Sequence, residues 1–264
     1  MRAATRQALA ASRAALEAVR KSLGLQVGEE LFAAGRLIGE TPALRTALTE
    51  TAVAAEDKRS IVARVFSSIG APSRSVLTEV VSNDWSSPDD MLAAIEELGI
   101  RAIAASAPAG GNIENELFAF GSVVGRNAEV ELALSNKLAS GDAKATLVNT
   151  LLSGKASEET LAIARQLVRQ PRGRRINELV RSAARTVADE SGLQIATVTS
   201  AAPITKDQLA RLQSTLSTQY GRPVGIHWVL DPQLVGGLRI QVGDDVVDGS
   251  IASRLHDLRL QLAG

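Results

Sequence analysis

The sequence predicts an α+β protein, in which an all-helical N-terminal part with two tandem related helical bundles precedes a small βαββα domain. Apolar residues recur at helical spacing over most of the chain. The sequence pattern that begins at Glu30 is repeated from Glu116 onward. The C-terminal stretch instead alternates apolar and polar residues, which is the pattern of a half-buried strand. The chain therefore divides into an N-terminal helix (1–26), a first helical repeat (27–105), a linker (106–112), a second helical repeat (113–192) and a C-terminal α/β domain (193–264).

Composition is that of an ordinary globular protein of 264 residues, with 45% hydrophobic and 22% charged residues. The 29 basic residues balance the 29 acidic ones, so bulk charge does not indicate nucleic-acid binding. No cysteine is present, which excludes disulfides and thiol chemistry. No apolar run has the length of a membrane helix, and no signal peptide is apparent. We therefore expect a soluble, cytoplasmic protein.

The N-terminal helix has one apolar face, on which Leu9, Leu16, Val19 and Leu23 lie at helical spacing. Three interpretations are open for this face. It packs against the rest of its own domain, it binds a partner helix, or it belongs to an organellar transit segment. The spacing favours packing within the domain.

The internal repeat begins with Glu-Leu-Phe-Ala, which occurs at 30–33 and again at 116–119. Gly35 corresponds to Gly121 and Gly39 to Gly125 in the same alignment. Each copy is predicted to form a small set of short helices. Prolines stand where several of these helices are expected to begin, since proline is tolerated in a first helical turn: Pro42, Pro72 and Pro88.

The two copies differ in charge, because residues 72–104 carry an acidic excess and residues 157–189 a basic one. The basic residues form two stripes at helical spacing around Pro171. These stripes are either a docking surface for an acidic partner or a solvated face. The candidates for partner binding are Arg165, Arg169, Arg172, Arg174 and Arg175 of the second repeat and Glu96 and Glu97 of the first.

In the C-terminal domain, residues 193–200 and 224–230 are predicted strands, and a helix begins at a capping box formed by Thr205 and Gln208. The third strand contains Leu238, Ile240 and Val242. Gly243 then reverses the chain into a short apolar return, and Ser250 is a plausible N-cap for a last helix. That helix has one apolar face, formed by Ile251, Leu255, Leu258 and Leu262.

No catalytic, cofactor-binding or metal-binding residues are predicted. His227 and His256 are not linked by sequence motif to a nucleophile or a metal ligand set, so structural roles are favoured. Asp244, Asp245 and Asp248 lack the spacing of a calcium loop and are typical of turns. The glycines do not match a phosphate-binding loop.

The stretch GGLRIQVGDDVVDGSIASRL, residues 236–255, resembles the C-terminal signature of the delta subunit of F-type ATP synthase, called the oligomycin-sensitivity conferral protein in mitochondria. The signature positions are Gly236, Gly237, Gly243, Asp244, Asp248, Gly249, Ser250, Arg254 and Leu255. The second repeat resembles the helical domain that this family usually has. The first repeat is an addition, as in the longer delta subunits of actinobacteria.

The resemblance implies a non-catalytic subunit of the peripheral stalk, without cofactors, that joins the catalytic head of alpha and beta subunits to the b subunit. It implies a location at the cytoplasmic face of the bacterial plasma membrane, with membrane association only through the complex. The acidic first repeat, including Glu96 and Glu97, is then expected to face something that the second repeat does not. The alternative function is a helical RNA-binding or transcription-adaptor module that uses the arginine stripes.

Overall fold

The computed structural model describes residues 2–107, 112–234, 236–243 and 245–248. The chain divides into two compact units, residues 1–187 and residues 188–264. The first unit is helical and the second contains the sheet. The α+β class predicted from the sequence is confirmed.

The helical unit begins with α1 (Ala3–Ala18), which packs against the fifth and sixth helices of the chain. Leu9 and Leu16 are buried there, and Val19 and Leu23 pack around them, so the apolar face of α1 serves its own unit. The bounds of the other helices are α2 (Leu25–Glu40), α3 (Pro42–Thr49), α4 (Ala55–Val65), α5 (Ala71–Ser82), α6 (Pro88–Ser106), α7 (Ile113–Arg126), α8 (Ala128–Ser135), α9 (Gly141–Leu152), α10 (Glu158–Arg169) and α11 (Ile176–Glu190).

Helix boundaries follow local sequence signals. The three prolines predicted to stand at helix starts occupy the first turns of α3, α5 and α6. Ser87, Ser140 and Ser157 cap α6, α9 and α10, because each side chain accepts a hydrogen bond from a backbone N–H of the first turn. Each predicted repeat thus contains five helices, α2–α6 and α7–α11.

Two buried apolar clusters fill the helical unit. One lies among α1–α6, with Leu31, Ile38, Leu77 and Met91 among its most buried members. The other is built mainly from α7–α11, but side chains of α2 and α6 also enter it: Phe32, Ile100, Ile103 and Ala104. The helix α6 therefore packs into both clusters, and residues are buried on all its sides.

The second unit contains a mixed sheet of β1 (Gln194–Ser200), β2 (Val224–Leu230), β3 (Leu238–Val242) and β4 (Asp245–Asp248), in the order β2-β1-β3-β4. The strands β1 and β2 are parallel and joined through α12 (Lys206–Tyr220), whereas β1–β3 and β3–β4 are antiparallel. Thr205 and Gln208 form the predicted capping box, and Gly221 ends α12 in the left-handed conformation.

The predicted order βαββα was incomplete, because the short return after Gly243 pairs with β3 as a fourth strand. The predicted last helix lies outside the described residues. One face of the sheet packs against α12 in a small cluster with Ala196, Leu216 and Val224. His227 is buried within β2, and the indole of Trp228 donates to Ser200 Oγ at 2.8 Å.

Candidate interaction surfaces

The arginine stripe of α10 makes ion pairs with neighbouring helices. Arg165 Nη2 lies 3.7 Å from Glu29 Oε1 on α2 and 3.9 Å from Glu158 Oε2 on its own helix. Arg169 Nη2 lies 2.9 Å from Asp142 Oδ1 at the start of α9, and Arg169 Nε donates to the same oxygen at 3.1 Å. Two arginines of the predicted stripe thus pair with carboxylates of this chain.

The hairpin at residues 170–175, between α10 and α11, places two more arginines beside α6. Arg172 and Arg174 each bring an Nη2 atom close to Glu96 Oε1, at 3.1 Å and 3.0 Å. Arg174 Nη2 also donates to the second oxygen, Oε2, at 3.1 Å. Glu96 is 7% exposed, so this carboxylate of the first repeat is buried against the second repeat.

The backbone of the hairpin explains how Arg172 reaches α6. Its φ of 48° is in the left-handed region, which is uncommon for a residue with a side chain. Gly173 follows at φ 74°, so the chain turns tightly after Pro171. Arg172 Nη1 then donates to the carbonyl of Leu92, one turn before Glu96 on α6.

Burial lowers the pKa of Arg172 from its ordinary value, and the nearby Arg174 acts in the same direction. The carboxylate of Glu96 opposes this by raising it. A guanidinium stays charged under all ordinary conditions, so the lowered pKa is a measure of how far Arg172 is removed from water. The charge of Arg172 therefore depends on Glu96 for compensation.

Glu97, the next residue on α6, pairs with arginines of the first repeat instead. Arg13 of α1 donates to Glu97 Oε1 through Nε at 2.9 Å and through Nη2 at 2.6 Å. Arg101 Nε donates to the same oxygen at 2.8 Å from one turn further along α6. Glu97 is thus held within the first repeat, whereas Glu96 joins the first repeat to the second.

Hydrogen bonds of Arg36, Gln166 and Gln170 complete the boundary between α2 and α10. Arg36 donates to Gln166 Oε1, and Gln170 Nε2 donates to the carbonyl of Gly35 at 3.3 Å. Gln166 is 2% exposed. Burial lowers the pKa of Arg36, and the adjacent Arg169 lowers it further. Helical spacing alone did not single out Arg36 or Gln166, because their partners lie more than a hundred positions away in the chain.

Arg175 is exposed at the start of α11. The other four candidate arginines and both glutamates form ion pairs within the described part of the chain. An external partner of these residues would compete with the internal pairs. Their assignment to a partner surface remains a prediction.

The glycines of the C-terminal signature have the backbone conformations that their turns require. Gly236, Gly237 and Gly243 have φ values of 67°, 77° and 60°, a region that side chains disfavour. Asp248 stands opposite Arg239 at the edge of the sheet. The remaining signature residues lie outside the described residues: Asp244, Gly249, Ser250, Arg254 and Leu255.

A groove of about 550 Å³ lies beside the Gly236-Gly237 turn in the second unit. Its walls are mainly apolar and include Pro203, Leu212 and Leu238, together with Arg211. The wall at 200–203 is held in place because Ser200 Oγ donates to the carbonyl of Ala202 at 2.6 Å. The signature glycines thus shape a concave surface.

In the described part of the chain, no set of three or more histidine, aspartate or glutamate residues could hold a metal ion. None of the helices described here combines the length and apolarity needed to cross a bilayer.

Comparison with known proteins agrees with the C-terminal signature. The sequence model of the family "ATP synthase delta (OSCP) subunit" matches residues 101–262. A protein named ATP synthase subunit delta from Leifsonia xyli is 48% identical over 264 residues and covers both chains completely. A protein of the same name from Streptomyces avermitilis is 38% identical over 98% of each chain.

Among solved structures, a chain in the cryo-EM structure of the Toxoplasma gondii mitochondrial ATP synthase hexamer is 18% identical, with a TM-score of 0.38. The match covers 57% of this chain and 85% of that chain. The two actinobacterial relatives align over both repeats, whereas the family model begins inside α6. From the matched residues and the full-length relatives together, the chain belongs to the ATP synthase delta (OSCP) family.

Proposed function

We propose that the chain joins the catalytic head of the ATP synthase, made of alpha and beta subunits, to the b subunit of the peripheral stalk. The single observation that carries this is the family match, which spans the second helical repeat and the C-terminal signature. Family membership makes the chain a non-catalytic structural subunit of this complex. Its work is to hold the head against the torque of the rotating shaft, so that proton flow drives ATP synthesis.

Two features of the helical unit support this role. Its apolar residues are buried in two extensive clusters, and charged side chains tie its helices together at the surface. A tether between larger bodies needs a stiff scaffold and a broad contact area rather than reactive groups. By the resemblance to the delta family, we expect the helical unit to bind the alpha subunits and the C-terminal unit to bind the end of b.

The second repeat exposes apolar side chains that suit a subunit contact. Leu138 is 96% exposed and Leu132 is 74% exposed, whereas Thr46 and Ala52 stand at the corresponding positions of the first repeat. Burying such side chains is the main source of affinity in stable interfaces. We expect the alpha subunits to cover them, at the cytoplasmic face of the plasma membrane.

A coupling assay on membrane vesicles tests the proposed function. Vesicles from cells without this chain should hydrolyse ATP without pumping protons, and adding back the purified chain should restore pumping. Unchanged proton pumping in its absence would contradict the proposal.

A crosslinking experiment tests the subunit contacts separately. Because the chain contains no cysteine, a cysteine at Leu138 can carry a photoreactive label without competing sites. Crosslinks from Leu138→Cys to alpha are expected in the assembled complex. The exposed Ala52, which corresponds to Leu138, offers a matched site on the first repeat, where crosslinks to alpha at the same yield would argue against a contact specific to the second repeat.

The RNA-binding alternative is not favoured. Nucleic-acid binding needs cations that can reach phosphates, whereas Arg169 pairs with Asp142, and Arg172 and Arg174 pair with Glu96. Salt-dependent RNA binding that is lost on Arg169→Ala would revive it.

A further inference from the structure

The two helical repeats meet along three kinds of contact, of which the first is the apolar packing of Phe32, Ile100 and Ile103 in the second cluster. Between α2 and α10 the contacts are long polar side chains, such as Arg36 on Gln166 and Arg165 at 3.7 Å from Glu29. Arg165 and Glu29 are partly exposed, so their ion pair can follow a small shift of one helix along the other and stabilises the fold only weakly. This exposed ion pair therefore does not select one register.

The contact between the hairpin 170–175 and α6 is different, because it centres on the buried carboxylate of Glu96. Both oxygens of Glu96 accept from Arg174, while Arg172 approaches one of them and also donates to the Leu92 carbonyl. Arg172 has 13% of its side chain exposed and Glu96 has 7%. A shift of the hairpin along α6 by one residue would leave buried charges without partners.

The backbone conformation of the hairpin directs Arg172 toward α6. Arg172 and Gly173 are left-handed in succession, at φ 48° and 74°. A non-glycine residue keeps such a conformation only where its surroundings hold it. The guanidinium of Arg172 is therefore placed on α6 by a turn that has few alternatives.

We propose that Glu96, with Arg172 and Arg174, pins the register of the second helical repeat on the first. Buried ion pairs contribute little net stability compared with apolar side chains of similar volume, but they penalise every arrangement that separates the charges. Glu96 is thus a positioning residue, and it sets how the surfaces of the two repeats are presented relative to each other. This inference does not depend on the proposed function.

The test measures geometry and stability in the same molecules. Cysteines placed at the exposed Ser60 of α4 and Asn149 of α9 carry spin labels, since the chain has no cysteine of its own. Double electron–electron resonance then reports the distance between the repeats in the full chain. Thermal unfolding of the same variants reports stability.

The informative variant is Glu96→Met with Arg172→Met, which replaces the buried charges by apolar side chains. Its unfolding midpoint should stay close to that of the parent, while its distance distribution should broaden or shift. An unchanged distribution would overturn the proposal. Failure to fold would overturn it as well, because the cluster would then be a source of stability rather than of register.

A matched control lies on the same helix. Glu97→Met with Arg101→Met removes a carboxylate and an arginine that pair within the first repeat. This variant should keep the parent distance distribution. If it broadens the distribution as much as the first variant does, the specific role of Glu96 is overturned.

Discussion

The carboxylate of Glu116 on α7 accepts a hydrogen bond of 2.6 Å from the hydroxyl of Thr160, in the first turn of α10. The same oxygen accepts from Ser157 N at 2.9 Å and from Ser157 Oγ at 2.8 Å. A side chain of one helix thus satisfies donors at the N-terminus of another. The first repeat has the same arrangement, in which Glu30 of α2 accepts from Ser73 Oγ and from Gly70 N at the start of α5.

The hydrogen bonds to Glu116 predict a pH-dependent contribution to stability. Burial alone would raise the pKa of Glu116, but the hydrogen bonds from Thr160 and Ser157 outweigh it, so the pKa lies below its ordinary value of 4.5. A lowered pKa means that the folded state favours the ionised form. The stabilisation is complete above the ordinary pKa and is lost as the pH falls through the folded-state pKa.

The substitution Glu116→Gln is therefore expected to lower the free energy of unfolding by about 1–2 kcal/mol at neutral pH, as for the loss of a helix cap. The difference from the parent should shrink as the pH falls below 4.5. Urea unfolding at a series of pH values measures the loss at neutral pH and its decrease at low pH. Glu129→Gln, on the exposed first turn of α8, is the control and should show little effect. A constant difference at all pH values would contradict the role of the ionised Glu116 carboxylate.

The substitution Glu30→Gln should destabilise the first repeat in the same way, because the pKa of Glu30 is also lowered against the effect of burial. Glu30 and Glu116 lie in different parts of the helical unit and share no hydrogen-bond partners. Their effects should add in the double variant, within about 0.5 kcal/mol. Denaturant unfolding of both single variants and the double variant tests this additivity. A clear departure from it would indicate coupling between Glu30 and Glu116.

Charge reversal should affect the two neighbouring glutamates of α6 unequally. Glu96→Lys places a third cation beside Arg172 and Arg174 in a buried site, so a loss of about 3–5 kcal/mol is expected. Glu97 is more accessible, at 21%, and Arg13 is 46% exposed, so Glu97→Lys should cost less. Thermal unfolding compares them, and equal losses would contradict the difference in their surroundings.

The crossing of α2 and α6 depends on the absence of a side chain at Gly28. A Cβ atom there would lie 2.7 Å from the carbonyl oxygen of Gly99 and would collide with Ile103. Alanine normally favours a helix over glycine by about 1 kcal/mol, yet Gly28→Ala should destabilise the chain because the helices must move apart. Gly121→Ala inside α7, where the nearest atom to a Cβ is Val180 Cγ1 at 3.3 Å, is the control and should cost less. Stabilisation by Gly28→Ala would show that the crossing can relax.

Local patterns predicted the elements well. The alternation of Leu238, Ile240 and Val242 indicated β3, and the spacing of Thr205 and Gln208 indicated the start of α12. These signals act within one element, so the sequence contains them directly. The strand β4 was seen only as a short apolar return, because it has four residues and needs β3 beside it to pair.

The partners of the charged residues could not be predicted in the same way. Arg172 was placed in a stripe because of its spacing from Arg165 and Arg169, but it lies beyond the end of α10 in a left-handed turn. Its carboxylate partner belongs to the other repeat, and helical spacing does not contain the packing of one repeat on another. Counting charges in each repeat separately therefore did not reveal that Glu96, Arg172 and Arg174 form an internal ion cluster.

The double packing of α6 has a consequence for shortening the chain. The match of the family model begins at residue 101, within this helix, which suggests that the chain could be shortened at this point. A cut at that point would discard Phe32 and Ile100 and leave Ile103 on a frayed helix end, so the remaining cluster would lose one of its walls. A chain shortened at residue 101 would therefore have to repack its second repeat.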